Sequence, residues 1–221
     1  MITIIKEFKN KKLNKAMLTD ANSKLGPLIK NFPIAIASCR HATEHCEKYC
    51  YAKRGKSTCP TTQYRYNLNY EYSKRSNFVE LMNAQVQLAV VEGYKYIRLH
   101  ACGDFYSNEY YMKWVEIAKC NPKMTILAYT RNYEIDFSLA PSNFRLFYSV
   151  DPSSKKMNTT AKRFAYVVYD IKNGVNKHLS KYLHNNITGK ICNSKCKMCK
   201  YCYKTEGNVI FPGRNVKSIV K

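Results

Sequence analysis

Short apolar runs recur along the middle of the chain, each bounded by polar or turn-forming residues. The first two, at residues 34–38 and 96–100, each lead directly into a loop that contains cysteine. Further runs lie at residues 124–129, 144–150 and 164–169. Apolar runs of this length, rich in β-branched and aromatic residues, are typical of buried strands. The pattern therefore predicts a strand at each of these positions.

Two longer stretches have the spacing of helices. Asn77 is the predicted N-cap of a stretch whose apolar side chains recur at helical spacing as far as Gly93. Asn108 is the predicted cap of a second helix, which Asn121 and Pro122 end. Strands that alternate with helices predict an α/β fold with a parallel sheet, either open or an incomplete barrel. Functional residues of such folds gather at the carboxyl ends of the strands.

The length and the composition fit one folded domain with a cysteine-rich tail. The 221 residues are 45% apolar, which is enough for a full hydrophobic core. Residues 1–10 place a few apolar side chains among lysines, and no run of the ~18 uncharged apolar residues needed for a membrane span follows. We therefore expect a soluble, cytoplasmic protein with no membrane partner.

The chain is strongly basic. Lys and Arg number 37 against 15 Asp and Glu, which gives a formal net charge of +22. Such a charge draws a protein toward polyanions, so nucleic acid or nucleotides are the expected partners. The alternative is codon bias, because AT-rich genomes favour lysine, asparagine and tyrosine, and this chain is rich in all three. In that case the basic residues are only a solvated surface.

Seven of the ten cysteines fall into two tight clusters. In a secreted chain so many cysteines would predict disulfide bonds, but no signal peptide precedes them. Clustered thiols are typical of metal sites, because thiolates are soft donors that suit iron–sulfur clusters and zinc. We therefore predict that these cysteines are metal ligands.

The first cysteine cluster follows the strand predicted at residues 34–38. Cys39, Cys46 and Cys50 have the spacing Cys-x6-Cys-x3-Cys, so three ligands can converge from one loop. Three cysteines on a [4Fe–4S] cluster leave one iron free for another ligand, and neighbouring lysines and arginines favour the thiolate form. Zinc is the alternative. Three side chains could supply its fourth ligand: His41, His45 and Cys59.

The second cysteine cluster lies in the tail and has four thiols within eleven residues. Its members are Cys192, Cys196, Cys199 and Cys202. The last three have the Cys-x2-Cys-x2-Cys spacing of ferredoxins, which predicts a second [4Fe–4S] cluster. A compact structural zinc is the alternative, although zinc ribbons separate two ligand pairs more widely. Cys59 and Cys120 are isolated, and we predict that they are buried small residues or spare thiols.

Residues 100–107 form a third motif, at the end of the second predicted strand. Gly103 would let a ligand approach the backbone, and Asp104 could accept hydrogen bonds from an amine or a ribose hydroxyl. The alternatives are a helix cap for Asp104 and a satisfied core position for His100. Arg131, after the third strand, could bind a carboxylate or phosphate, or lie solvated in its loop. Asp151, after the fourth strand, is equally ambiguous.

Several of these segments together resemble the phage-encoded gene product 88 family. The segments are Asn-Ser-Lys-Leu-Gly at 22–26, the cysteine loop at 39–52, Arg-Leu-His at 98–100, Gly-Asp-Phe-Tyr-Ser at 103–107, Trp114, and Tyr-Thr-Arg at 129–131. The likeness covers most of residues 20–152 and resumes at the tail cysteines and at residues 209–212. The family is in turn similar to a distant branch of the radical S-adenosylmethionine enzymes.

The resemblance implies a fold. Residues 1–180 would form a partial (β/α) barrel of the radical S-adenosylmethionine type, and residues 181–221 a cysteine-rich, metal-binding tail packed on the same domain. Two departures weaken the likeness to those enzymes. They carry Cys-x3-Cys-x2-Cys and a Gly-Gly-Glu type of motif, whereas this chain has Cys-x6-Cys-x3-Cys and Cys-Gly-Asp. Cluster binding tolerates these differences more easily than cofactor cleavage does.

The resemblance also implies ligands. The first cysteine cluster would hold [4Fe–4S], Gly103 and Asp104 would bind the methionyl amine of S-adenosylmethionine, and Arg131 would bind its carboxylate. The enzyme hypothesis is that the reduced cluster cleaves this cofactor to a 5′-deoxyadenosyl radical with electrons from a host donor. The tail cluster would relay electrons or anchor a nucleic acid or nucleotide substrate.

The second hypothesis is a non-enzymatic binding module. Iron–sulfur clusters or zinc would then stabilise a basic scaffold, and this scaffold would bind single-stranded nucleic acid by phosphate contacts and base stacking. The 19 tyrosines favour stacking. Tyrosines in or beside predicted strands weaken this hypothesis, because tyrosine is an ordinary strand residue.

Overall fold

A computed structural model describes residues 17–168 and 187–212. The lysine-rich residues 1–10, the predicted strand end at Tyr169 and the predicted boundary between residues 180 and 181 lie outside the described residues. Within the described ranges, no helix has both the length and the apolar character needed to cross a membrane.

Eight strands of the described chain form one sheet. They are β1 (Thr19–Asp20), β2 (Ile29–Phe32), β3 (Tyr96–Leu99), β4 (Thr125–Thr130), β5 (Phe144–Val150), β6 (Phe164–Val168), β7 (Lys190–Ile191) and β8 (Val209–Pro212). Their order across the sheet is β1-β2-β3-β4-β5-β6-β8-β7. The pairing of β1 with β2 is antiparallel, and the other pairings are parallel. The mixed α/β class with a mostly parallel sheet is thus confirmed, and the sheet is not closed.

Six α-helices accompany the sheet in the described ranges. They are α1 (Glu44–Lys48), α2 (Pro60–Ser73), α3 (Phe78–Val91), α4 (Asn108–Cys120), α5 (Cys196–Cys199) and α6 (Tyr201–Lys204). The first three lie between β2 and β3, and α4 connects β3 to β4. Strands β2 to β6 follow one another across the sheet in the order in which they occur along the chain.

One face of the sheet packs against helices α3 and α4 in the larger hydrophobic core. Trp114 of α4 is fully buried there, and its ring lies 5.2 Å from that of Phe32 and 5.8 Å from that of Phe78. Ile126 and Ala128 of β4 belong to this core. These apolar contacts fix the ends of β2, β3 and β4 relative to one another.

The tail covers the opposite face of the sheet. Successive side chains of a strand point to opposite faces, so Leu127 of β4 lies in a second core, with Ile29 and Phe147. Tyr203 and Val209 from the tail complete this core. The tail also adds β7 and β8 to the sheet.

The first strand lies earlier than predicted. Residues 29–32 form it, and the apolar run at 34–38 is a loop with a 3₁₀ helix at Ile36–Ser38. Pro33 has no backbone N–H to donate to a ladder, so the strand ends before it. Ile34 and Ala35 are nevertheless buried. The apolar run thus correctly indicated burial, but the prediction of a strand at residues 34–38 was wrong.

The helices differ from prediction in two details. The N-cap of α4 is Ser107 and not Asn108, since the Ser107 hydroxyl accepts a hydrogen bond from Tyr110 N at 3.2 Å. Asn77 occupies the N-cap position of α3 as predicted, although its side chain makes no capping hydrogen bond. Helix α2 was not predicted, because tyrosine, asparagine and charged residues alternate in it without a clear apolar stripe.

Candidate functional site

Four loops meet at the carboxyl edge of the parallel sheet. They follow β2, β3, β4 and β5 and carry, in that order, the first cysteine cluster, Cys102 to Asp104, Arg131 and Asp151. Parallel strands end at the same edge, which is where ligands bind in open α/β sheets. We call this group of residues the edge site.

The loop after β2 presents the three thiols from a compact local structure. Thr43 caps α1, and its hydroxyl accepts a hydrogen bond at 3.0 Å from the backbone of Cys46. Cys50 directly precedes a 3₁₀ helix at Tyr51–Lys53. All three thiols of the cluster are partly exposed. A ligand can therefore reach them from solvent.

The edge thiols influence one another. Burial is the main cause that raises the pKa of Cys39, and the nearby Asp104, Cys102, Cys46 and Cys50 raise it further. Burial also raises the pKa of Cys46, while the Arg131 guanidinium opposes the rise. Deprotonating these thiols together is costly in the absence of a cation. A metal centre removes that cost, because metal ligation deprotonates thiols.

The loop after β3 packs directly against the cysteine loop. Gly103 has a φ of +89°, and a Cβ there would overlap Ile34 Cγ1 and lie 2.6 Å from Ser38 Oγ. Asp104 N donates to Ser38 Oγ at 3.0 Å, and this hydroxyl donates to Ala35 O at 2.7 Å. Only glycine allows this approach. The glycine predicted from sequence thus brings the two loops together.

Asp104 joins the loops after β3 and β4. Its carboxylate accepts hydrogen bonds from Phe105 N at 2.7 Å and Arg131 N at 2.8 Å. Burial raises the pKa of Asp104, although these bonds and one from Thr130 favour the carboxylate. Its oxygens already serve the protein backbone. Asp104 therefore holds the loops after β3 and β4 together at the edge site.

Arg131 is paired and does not lie free in its loop. Its Nε and Nη2 atoms lie 3.1 and 2.9 Å from Asp151 Oδ2. The side chain of Asp151 is fully buried, and it also accepts a hydrogen bond from Thr43 Oγ1 at 2.5 Å. The pair thus connects the ends of β4 and β5 to the cap of the helix that carries Cys46. Thr43 and Ser38 were missed from sequence, because these bonds join residues far apart in the chain.

His100 is a buried histidine with a strongly lowered pKa. Its Nε2 lies 3.0 Å from the Tyr110 hydroxyl, while its Nδ1 is buried and has no hydrogen-bond partner among the described residues. Burial, with a smaller effect of Arg98, lowers the pKa of His100 to about 3. The ring is therefore neutral at physiological pH and is not a general base facing solvent.

The four tail cysteines line one pocket, together with Arg98, Tyr129 and Tyr203. Cys196 and Cys199 lie on α5 and Cys202 on α6. Burial raises the pKa of Cys202, while a hydrogen bond from Tyr129 and the charge of Arg98 lower it. The guanidinium of Arg98 lies 4.2 Å from the centre of the Tyr129 ring. We call this group the tail site; it lies on the face of the sheet opposite the one that packs against α3 and α4.

The two isolated cysteines lie apart from both sites. Cys59 is the N-cap residue of α2 and Cys120 is the last residue of α4. Both are exposed. The prediction that they are buried small residues is therefore wrong.

Comparisons with known proteins identify the family. The family model of gene product 88 matches residues 4–205. The "Gene 88 protein" of Mycobacterium phage L5 is 26% identical over 194 residues, which cover 79% of this chain and 81% of the relative. No solved structure matches the chain. Neither match connects it with radical S-adenosylmethionine enzymes. The chain therefore belongs to the gene product 88 family and is a bacteriophage protein.

Proposed function

We propose that this phage protein is an iron–sulfur protein of the radical S-adenosylmethionine type, with a [4Fe–4S] cluster at the edge site and a second one at the tail site. S-adenosylmethionine would bind the iron that Cys39, Cys46 and Cys50 leave open. The substrate class is nucleic acid or nucleotide, and a host protein would supply the electrons.

The arrangement of the edge site carries the proposal. The cysteine loop follows the first parallel strand, and the glycine loop follows the second and touches it through Gly103 and Ser38. Strands β2 to β6 keep their chain order across an open sheet. Right-handed crossovers, the rule for parallel strands, would put the connections between such strands on one face, as in one part of a (β/α) barrel. This topology agrees with the partial barrel that the family resemblance implies.

The spacing of the donors favours a cubane over a single ion. In a [4Fe–4S] cluster each thiolate binds a different iron, and the tail cysteines have the Cys-x2-Cys-x2-Cys spacing of ferredoxin runs. The edge cysteines supply three thiols from one loop. Among residues 17–168 and 187–212 there is no preformed group of three His, Cys, Asp or Glu side chains for a single metal ion.

The protein would position the cofactor and exclude competing contacts. Gly103 packs against Ile34 and Ser38, and the loop after β3 would thus place the methionyl amine beside the cysteine loop. Arg131 uses Nε and Nη2 for Asp151 and would offer Nη1 to the carboxylate. A [4Fe–4S] cluster held by Cys39, Cys46 and Cys50 would supply the one-electron reduction of S-adenosylmethionine.

Turnover is the direct test. Anaerobically purified and reduced protein should convert S-adenosylmethionine to 5′-deoxyadenosine and methionine, measured by mass spectrometry. The variant with Cys39, Cys46 and Cys50 all changed to Ala should form neither product. A protein that binds clusters but forms no 5′-deoxyadenosine would refute the enzyme. Stoichiometric zinc without iron or sulfide would refute the clusters as well.

Exposed tyrosines support the nucleic acid partner and also the non-enzymatic alternative. Tyr49, Tyr51 and Tyr64 are 38%, 47% and 60% exposed, on a chain with a net charge of +22. Single strands that bind such a surface by phosphate contacts lose affinity with a log–log salt slope of about −0.7 per contact. A salt titration of fluorescent single-stranded DNA and RNA measures that slope. Absence of binding at low salt would remove nucleic acid as the partner.

A further inference from the structure

Cys102 is a buried thiol at the end of β3 that neither predicted cysteine cluster includes. It is 3% exposed and lies in the loop after β3, which packs against the cysteine loop.

Hydrogen bonds hold the residues on both sides of Cys102 against the cysteine loop. Before it, Ala101 O accepts a hydrogen bond from the hydroxyl of Tyr51, the neighbour of Cys50. After it, Asp104 N donates to the hydroxyl of Ser38, the neighbour of Cys39, at 3.0 Å. Its own carbonyl accepts from Ile34 N at 3.0 Å. The backbone on both sides of Cys102 is therefore held beside the residues that adjoin Cys39 and Cys50.

We infer that Cys102 is the fourth thiolate ligand of the edge cluster and caps the otherwise open iron when S-adenosylmethionine is absent. This inference rests on the proposed function, because it requires a cubane at Cys39, Cys46 and Cys50. When the cofactor binds, the bond from iron to the Cys102 sulfur breaks. The amine and carboxylate of the cofactor take its place, and the released thiolate accepts a proton from solvent.

Mild oxidation of the cluster tests the fourth ligand without any need for turnover. A cubane with only three protein ligands loses its open iron on oxidation and becomes [3Fe–4S], which electron paramagnetic resonance detects. Anaerobic wild-type protein treated with ferricyanide should keep four irons at the edge site. Cys102→Ala and the closer isostere Cys102→Ser should each lose one iron in four. Cys120→Ala, which removes an exposed thiol, is the matched control and should behave as wild type.

The outcomes separate this inference from the proposed function. Equal formation of [3Fe–4S] in wild type and in both Cys102 variants would overturn the fourth ligand and leave the open iron intact. If changing Cys39, Cys46 and Cys50 removes no iron, the edge cluster and the Cys102 inference both fall. Circular dichroism confirms that each variant is folded. The tail cluster contributes the same signal to every sample. The spectrum of the variant with Cys39, Cys46 and Cys50 changed to Ala contains only that signal and is subtracted from the others.

Discussion

The edge site and the tail site hold similar thiols in different surroundings. The edge site is assembled from four loops, and a buried ion pair between Arg131 and Asp151 joins them. The tail site comes from one short segment that lies on the aromatic face of the sheet, where the ring of Tyr203 is 4.6 Å from that of Tyr96. Backbone contacts anchor it, including Lys197 N to Lys24 O at 2.9 Å.

The difference shows how each site depends on the fold. The tail thiols are local in sequence, so their grouping needs little tertiary structure. The edge cysteines follow β2 and Cys102 follows β3, so the loops that carry them come together only when these two strands pair correctly. The edge site should therefore be sensitive to changes in loop packing, whereas the tail site should respond to changes in its direct contacts.

The largest expected effect is the separate loss of each cluster. Changing Cys39, Cys46 and Cys50 to Ala should remove about four irons and leave the tail cluster, since the two sites lie in different parts of the fold. Changing the four tail cysteines to Ser should do the opposite. Iron and sulfide analysis of anaerobically prepared protein measures both. Loss of both clusters from a folded triple variant would show that the two sets of thiols share one site.

The next effect concerns the contact between the two edge loops. Gly103→Ala and Gly93→Ala both place a side chain at positive φ, +89° and +86°, but only Gly103 is packed against other atoms. Positive φ should cost each variant about 1 kcal/mol. Overpacking against Ile34 and Ser38 should cost Gly103→Ala roughly 1 to 3 kcal/mol more.

Urea unfolding compares the two glycine variants, and iron analysis follows the edge cluster. We expect the cluster to be lost or weakened only in Gly103→Ala. Equal losses of stability would mean that the loops do not pack closely at Gly103.

A smaller effect is acid sensitivity at the end of β3. The pKa of His100 falls from 6.5 to about 3 on folding, so the unfolded chain binds the proton more tightly. The stability due to neutral His100 is full above pH 6.5 and is lost as the pH falls toward 3. At pH 5.5 the loss should be about 1.4 kcal/mol. His100→Asn keeps a residue that tolerates the φ of +54° and should remove this dependence. Unfolding at pH 7.5 and 5.5 measures it, and an unchanged pH dependence in the variant would contradict it.

The sequence predicted the positions of strands and helices better than the hydrogen-bond partners of the site residues. The strands β3 to β6 and helices α3 and α4 were predicted because their apolar patterns are strong. The strand at β2 was placed too late, because Pro33 and the buried loop after it also present an apolar run. The loops that carry Gly103, Arg131 and Asp151 do meet at one edge, which the alternation of strands and helices implies.

The partners of these residues could not be read from the chain. Asp104 accepts from the backbone of Arg131, and Asp151 accepts from Thr43, more than one hundred positions away. Such bonds depend on strand register, which apolar patterns do not specify. Cys102 was visible in the third motif, but its closeness to Cys39 and Cys50 follows only from the parallel pairing of β2 with β3.

The smallest predicted effect tests the direct contacts of the tail site. Burial raises the pKa of Tyr129 far above its usual value, so the phenol remains protonated and donates to Cys202. A hydrogen bond to a thiolate ligand stabilises the reduced cluster, which carries the extra negative charge. Tyr129→Phe keeps the ring beside Arg98 and removes only this bond. Its loss should cost about 1 kcal/mol, which for a one-electron couple lowers the midpoint potential by about 40 mV.

Tyr203→Phe is the matched control for this prediction. Tyr203 lines the same pocket, but its buried hydroxyl has no hydrogen-bond partner within the described residues. Redox titration followed by electron paramagnetic resonance should therefore show a lower potential for the tail cluster in Tyr129→Phe and little change in Tyr203→Phe. The edge cluster should keep its potential in both variants, because neither hydroxyl contacts the edge thiols. Equal shifts in the two variants would assign the effect to general repacking of the aromatic face, and the absence of a redox-active tail centre would favour structural zinc there.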